Sequence, residues 1–235
     1  LLRNTAILAL LPIEVLRLPP KLFEQEYMAI KILSPEVSAR IAAGEVVERP
    51  ASVVKELIEN SLDAGSTRIR IETKGGGIES ISVIDNGRGI PEEDVFLVFK
   101  RFATSKVETA DDLEAIETLG FRGEAMYSIS AVSEVELATG VDNESAGSRL
   151  VARDGAIVEQ SLIAANQGTN VKVKRLFRNF PARRKFLRTH SAESGRIKSL
   201  VQRYSMIRPD VAFELIQEKS RPFSTAGSND IRNVM

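Results

Sequence analysis

A chain of 235 residues, 43% hydrophobic and 27% charged, can bury a sizeable core and suits one large domain, or one domain with part of another. Lys plus Arg and Asp plus Glu balance at 32 each, so no global field draws the chain to nucleic acid or to a membrane; such a contact needs a local patch. With no cysteine there are no disulfides, no thiol chemistry and no thiolate metal sites, which suits a reducing cytoplasm.

The first 27 residues read differently from the rest. The apolar run at 6–11 is far too short to span a membrane, and Pro12, Glu14, Pro19 and Pro20 follow it without a small-x-small cleavage site. Residues 1–27 are expected to be an upstream extension, disordered or non-native, with the working protein starting near Met28. Val37 and Ile41 give a short helical pattern at 35–42, and Pro50 suits the first turn of the next helix. In that helix Val53, Val54, Leu57, Ile58 and Leu62 fall at the spacings of a core-facing stripe. Glu56 and Asn60 stack one turn apart on a neighbouring face, Asp63 continues their line, and Ala64-Gly65 ends the helix. A carboxylate one turn from a carboxamide is what a water-activating, Mg-holding site needs. It is also what an ordinary solvated helix face looks like.

Two alternating strands, 68–74 and 80–85, are expected to pair antiparallel across Gly75-Gly76-Gly77, read as a flexible turn. Asp85 falls on the strand face of Ile81 and Val83, where a carboxylate is costly without a partner. The exocyclic amine of a purine is one such partner, and a plain Asp-Asn-Gly turn is the other reading. Gly87 and Gly89 permit tight backbone and leave room for a flat ring. Residues 91–94 open a helix with Val95, Val98, Phe99 and Phe102 on its apolar face. Thr104, Ser105 and Lys106 follow, two hydroxyls and an ammonium that suit phosphate oxygens. Gly120 and Gly123 bracket a loop ahead of a helical pattern through Ala125, Met126, Ile129 and Val132. The loop is either an anion site of converging backbone N–H groups or an ordinary junction, and it matches neither the Walker A nor the dinucleotide spacing.

Strands at 134–139, 148–153, 156–163 and 168–177 then meander antiparallel. Residues 179–188 are the most basic stretch; Arg183, Arg184, Lys185 and Arg188 suit phosphates in a salt-sensitive, sequence-independent contact, and equally suit a solvated helix face. His190, the single histidine, has only Glu193 near it and reads as a surface residue. An amphipathic helix at 192–207 leads to Arg208-Pro209-Asp210, the clearest boundary, so residues 208–235 read as the truncated start of a second α/β domain.

The order Glu56-x-x-x-Asn60, Asp85-x-Gly87-x-Gly89, Gly120-x-x-Gly123 and Gly168-Thr169 resembles the ATP-binding domain of the GHKL superfamily: gyrase B subunits, heat-shock chaperones, histidine kinases and MutL proteins. Within it, the blocks at 41–50 (IAAGEVVERP), 120–125 (GFRGEA) and 180–187 (FPARRKFL) are similar to the MutL family of DNA mismatch repair proteins. The chain departs from that pattern at Asn170 and Phe180.

The resemblance implies an α/β (α+β) two-layer sandwich, a Bergerat-type domain over 28–207 with a mixed, mostly antiparallel sheet. It implies ATP and Mg²⁺ as cofactors, with Glu56 as the general base and Asn60 holding the metal. Asp85, Gly87, Gly89 and Ile90 would meet adenine, and Thr169 a supporting water. Thr104, Ser105, Lys106 and the loop Gly120, Phe121, Arg122, Gly123, Glu124 and Ala125 would close over the phosphates. Glu59 has no role in this pattern and reads as a solvated neighbour. The implied function is a mismatch repair ATPase whose nucleotide state switches dimerisation and couples mismatch recognition to downstream repair. Its implied partners are a second copy joined through residues 28–45 in an ATP-dependent homodimer, a MutS-type mismatch recognition protein, and DNA held at Arg183, Arg184, Lys185 and Arg188. It is expected in the cytoplasm, away from membranes. Many such proteins complete the phosphate site with a lysine from a following domain, and no residue here is assigned to that role, so hydrolysis by this chain is expected to be weak. A histidine-kinase reading is disfavoured by Glu56, since transfer to a protein side chain needs no water-activating base. The basic block disfavours a purely structural ATP-binding chaperone module; a topoisomerase-type module stays an alternative.

Overall fold

The computed structural model describes residues 30–32, 46–104, 119–120, 123–142, 144, 146–218 and 221–230. Residues 34–235 form one compact unit, and of the preceding unit residues 30–32 are described and exposed. The expected extension at 1–27 and the helical pattern at 35–42 lie outside the described residues.

Helix α1 (Pro50–Asp63) begins on a proline, whose missing N–H costs nothing in a first turn. Its stripe of Val53, Val54, Leu57, Ile58 and Leu62 is buried, as the spacing predicts. Strands β1 (Arg68–Lys74) and β2 (Ser80–Asp85) pair antiparallel, with Ile71 opposite Val83. The three glycines between them are buried rather than loose. A Cβ on Gly76 would stand 2.6 Å from the carbonyl oxygen of His190. Helix α2 (Ala125–Val132) leads into β3 (Glu134–Gly140), β4 (Gly147–Arg153), β5 (Ala156–Ile163) and β6 (Gly168–Lys174). A short basic helix α3 (Pro181–Phe186) precedes the long α4 (His190–Ile207), and β7 (Ala212–Gln217) and β8 (Phe223–Ser224) follow.

The eight strands among the described residues form one sheet in the order β5-β4-β3-β6-β2-β1-β7-β8. Every neighbouring pair is antiparallel except β1 with β7, which is parallel. One face carries Ile69, Ile71, Ile81, Val83, Val135, Leu137, Val171 and Val173, and α1, α2 and α4 cover that row in a single core. The other face is charged. Glu134 accepts from Arg153 at 2.8 Å and from Arg175, and Glu136 accepts from Arg149 at 2.8 Å and Lys174 at 2.9 Å. This is the mixed, mostly antiparallel two-layer sandwich that the resemblance implies.

Two further sequence expectations fail. Residues 91–102 are successive turns with one 3₁₀ turn (Leu97–Phe99), not a helix. Of the apolar face expected there only Val95 and Phe99 are buried, while Phe102 is 69% exposed at φ +63°. With so little of the expected face buried, the segment lacks the tertiary packing that holds a helix in a protein. The strand at 212–217 does not begin a separate domain. Ile69 pairs with Phe213 and Ile71 with Leu215, and Val211, Phe213 and Leu215 extend the same apolar core. The Arg208-Pro209-Asp210 segment is thus a turn inside the fold.

Candidate functional site

A cleft of about 1360 Å³ opens between α1, the loop after β2 and the N-terminus of α2. It collects residues that the sequence separates widely: Glu56, Asn60, Asp85, Gly89, Ile90, Thr104, Gly120, Gly123, Glu124, Ala125 and Thr169 all line it. Ser105, Lys106, Phe121 and Arg122 lie outside the described residues.

Asp85 ends β2 on the cleft side, and its partners are specific. Oδ1 accepts the Ser66 hydroxyl at 3.1 Å and the Gly87 N–H at 2.9 Å, which fills its two lone pairs. Oδ2 accepts from Ser61 at 2.8 Å, yet that hydroxyl has one proton and also reaches the Leu57 carbonyl at 3.0 Å. Oδ2 therefore keeps acceptor capacity toward the cleft. The need for a partner at Asp85 was readable in the sequence; Ser61 and Ser66 as the partners were not, because only the packing of α1 on β2 brings them there.

The glycines beside Asp85 are demanded by backbone approach, a different reason from open space for a ring. Gly89 sits at φ +75°, and a Cβ there would lie 1.9 Å from the Gly140 carbonyl oxygen. A Cβ on Gly87 would lie 2.7 Å from both Ala64 Cβ and Ser66 Oγ. Gly140 ends β3, and beside it the buried Thr139 ties the floor together. Its hydroxyl accepts the Ile90 N–H at 3.0 Å and lies 3.1 Å from Thr169 Oγ1, while Thr169 stands opposite Asp85 in the β2–β6 register. Thr139 carried no sequence signal beyond its place on a strand. Asn170 faces the other way, accepting from Ser82 at 3.3 Å.

On the opposite wall, the carboxylate of Asp63 accepts the N–H groups of Leu119 at 3.1 Å and Gly120 at 3.2 Å. The Gly120 amide is thus engaged by α1 rather than directed at an anion. The N-terminus of α2 at Ala125 opens on the cleft, and a first helical turn is where backbone N–H groups lack intrahelical partners. Glu124 ahead of it accepts from Arg101 at 2.8 Å, and the Arg101 guanidinium lies 4.8 Å over the Phe102 ring.

Glu56 is 26% exposed at the cleft wall. Glu59, expected to be solvated, is instead 7% exposed, accepting Lys55 Nζ at 2.8 Å and the Tyr204 hydroxyl of α4 at 2.5 Å. Burial, then the hydrogen bond to Glu59, pushes the Tyr204 hydroxyl well above the usual phenol range. Burial alone would lower Lys55, but the hydrogen bond to Glu59 and the charges of Glu56 and Glu59 outweigh it and raise its pKa.

The basic block divides. Arg183 donates to the Val47 carbonyl at 3.1 Å, while Arg184 and Lys185 are exposed on α3. Arg188 lines a second groove of about 610 Å³ with Arg49, Arg196 and Arg203, and none of these four forms an ion pair with another described residue. His190 is exposed at the start of α4, and no cluster of three or more His, Asp or Glu able to hold a metal occurs among the described residues. No helix among them is long and apolar enough to cross a membrane.

A family model for histidine kinase-, DNA gyrase B- and HSP90-like ATPases matches residues 48–165, the segment that builds most of this cleft. The chain belongs to that ATPase family. Within it, MutL proteins are among its homologues. It is 50% identical over 205 residues to the DNA mismatch repair protein MutL of Desulforamulus reducens, covering 87% of this chain and 32% of that protein. It is 47% identical over 206 residues to the MutL of Bacillus anthracis, covering 88% of this chain and 33% of that one. Among solved structures it matches the Aquifex aeolicus MutL ATPase domain complexed with ADP at 35% identity and a TM-score of 0.59, over 74% of this chain and 61% of the other. It also matches the N-terminal domain of a DNA repair protein at 30% identity and a TM-score of 0.70, over 83% of this chain and 58% of the other. These relatives do not favour the chaperone, topoisomerase or histidine-kinase readings. The chain spans about a third of the length of the curated MutL relatives it matches.

Proposed function

We propose that the chain binds ATP in the α1–β2 cleft and hydrolyses it, as the ATPase part of a DNA mismatch repair protein. The observation that carries this reading is the convergence of Asp85, with an acceptor oxygen to spare, and the Glu56/Asn60 pair on one cleft. Asp85 Oδ2 accepts the adenine amine, with Gly89, Ile90 and Thr169 around the base and Gly87, which does not line the cleft, holding Asp85 Oδ1 through its N–H. Glu56 takes the proton of the attacking water, a role that commonly contributes 10²–10⁴-fold. Asn60 supplies one carboxamide oxygen to Mg²⁺. That single hard ligand fits an ion that holds few protein groups and otherwise keeps water and phosphate oxygens. Bound Mg²⁺ would neutralise charge on the phosphates. Thr104, Ser105, Lys106 and the Gly120–Gly123 loop, with Phe121, Arg122, Glu124 and Ala125, close over them. The Asp63 grip on Leu119 and Gly120 is the contact that closure would rearrange.

The wider role is read from the MutL relatives: ATP-dependent pairing of two copies, a MutS-type partner, and DNA, in the cytoplasm. Arg184, Lys185 and Arg188 are the phosphate contacts, with Arg183 fixed at their edge. The arginine groove beside Arg188 supports a contact that is electrostatic and indifferent to sequence. Hydrolysis by this chain alone is slow. A single variant tests the assignment of the base. Glu56→Ala should keep affinity for a non-hydrolysable ATP analogue and lose about 10²-fold or more of turnover, the scale of a lost general base. Turnover close to that of the unmodified chain would remove Glu56 from the chemistry.

A further inference from the structure

Glu59 is a buried acid that the hydrolytic reading leaves unused. It lies one residue before Asn60 and three after Glu56, and its two oxygens are both engaged: Oε1 by the Tyr204 hydroxyl at 2.5 Å, Oε2 by Lys55 at 2.8 Å. The same ammonium stands 3.5 Å from Glu56. Two carboxylates share one cation, and the distances rank them: the Glu59 contact at 2.8 Å is a full charge-assisted hydrogen bond, while the Glu56 contact at 3.5 Å is a long ion pair at the limit of hydrogen bonding.

We propose that Glu59 and Tyr204 form a positioning pair that holds the Lys55 ammonium off Glu56 and so keeps the hydrolytic carboxylate open to water. The proposal rests on the reading of Glu56 as the base. Three observations carry it. Glu59 has a side chain only 10% exposed, so it depends on its partners for solvation, whereas Glu56 at 26% faces the cleft and its water. Tyr204 belongs to α4, so the anchor of Glu59 comes from a second helix and fixes the carboxylate in place. Lys55 and Glu59 are one helical turn apart, a spacing that brings the two side chains together on α1. Were Lys55 to close on Glu56, the carboxylate lone pairs would point at an ammonium rather than at a water, and the ion pair would make it a poorer proton acceptor. The sequence shows Lys55, Glu56 and Glu59 as neighbouring charges on a helix. It does not show Tyr204, 145 positions on from Glu59, which decides the competition.

Glu59→Gln tests this, because glutamine keeps the size and an acceptor for Tyr204 but loses the charge that holds Lys55. In a crystal structure of the nucleotide-free variant, the Lys55 Nζ–Glu56 distance should shorten from 3.5 Å to the 2.8 Å now held with Glu59. The rate of ATP turnover should fall about tenfold or more, a share of the 10²–10⁴-fold that a general base contributes. Affinity for a non-hydrolysable analogue should change less than about threefold, since the lost term acts on chemistry and not on binding. Adding Lys55→Met should restore most of the turnover, because the competing ammonium is then gone. A Glu59 that only props up α1 gives a double variant as slow as the single one, and that result overturns the proposal. So does a Lys55 that stays away from Glu56 in the crystal. Should Glu59→Gln fold poorly, Tyr204→Phe removes one bond only and should slow turnover in the same direction, again with rescue by Lys55→Met. Glu56→Gln separates the two layers: normal turnover there defeats the base reading and the functional half of this proposal, while the crystallographic distance still reports on the charge competition alone.

Discussion

At the scale of single residues, Asp85 has two duties that a truncation cannot separate. Its Oδ1 satisfies Ser66 and the Gly87 amide, so Asp85→Ala would leave a hydroxyl and an N–H unpaired and would cost about 1–3 kcal/mol of stability for each group left without a partner. Asp85→Asn is the sharper probe. With the carboxamide oxygen kept on Ser66 and Gly87, the cleft-facing atom changes from an acceptor to a donor. Adenine presents an exocyclic amine and guanine a carbonyl, so the variant should lose more than about tenfold in ATP affinity while its preference moves toward GTP, as expected when a hydrogen-bonding site is inverted. Isothermal titration with both nucleotides, together with a melting curve, reads both duties. Unchanged ATP affinity would detach Asp85 from the base. The sequence revealed the acid and its cost of burial, because strand alternation puts Asp85 in line with Ile81 and Val83. It left Ser61, Ser66 and Thr139 invisible, since each owes its role to a neighbour brought by the fold from another element. Glu59 was misread for the same reason: its partner on α4 is absent from any local pattern.

At the scale of elements, regular periodicity carried α1, α4 and the strands, where a burial pattern repeats often enough to be read. It failed over 91–102, where four apolar residues imitate a helical face but only Val95 and Phe99 are buried and Val98 packs on the core edge. The charged sheet face was legible only as alternation. Pairing across β3, β4 and β6 turns it into a network, in which Glu134 is held by Arg153 and Arg175. Burial alone would raise the Glu134 pKa, but the hydrogen bonds and charges of those two arginines outweigh it and hold the carboxyl below its usual value. A pKa lowered by folding adds stability that is fully present above the unfolded value of 4.5 and is lost as pH falls through the lower folded value. Glu134→Gln should therefore be less stable than the native chain at neutral pH, and the gap should close as pH drops below about 4.5, where both chains carry a neutral side chain. Urea midpoints measured from pH 7 to pH 3 check this. A gap that is constant with pH would assign the loss to packing instead of charge.

At the scale of the whole molecule, the cleft depends on residues that the sequence reading placed beyond a domain boundary. β7 supplies the neighbour that β1 needs on its outer side, and Phe213 and Leu215, each 1% exposed, cover Ile69 and Ile71 in register. Gln217 donates to the Ser194 carbonyl at 3.0 Å and ties β7 to α4, whose Tyr204 in turn holds Glu59 on α1. A continuous path of packing thus runs from β7 through α4 to the helix that carries Glu56 and Asn60. Removing residues 208–235 would expose a parallel edge on β1 and delete Phe213 and Leu215. Burial of such side chains is worth about 2–5 kcal/mol apiece, against a total stability of about 5–15 kcal/mol for a domain. The shortened chain should lose its cooperative urea transition and bind an apolar dye, and its affinity for a non-hydrolysable ATP analogue should collapse with the fold. Phe213→Ala in the full chain is the milder counterpart. It should shift the midpoint by an amount equivalent to about 3–5 kcal/mol while leaving the nucleotide site intact below the transition. A chain ending at Ile207 that unfolds in one sharp step with native affinity would return the β7–β8 segment to a separate domain. The register of Phe213 on Ile69 and Leu215 on Ile71 argues for the opposite outcome, because strands whose core residues pair in register on one buried face melt together.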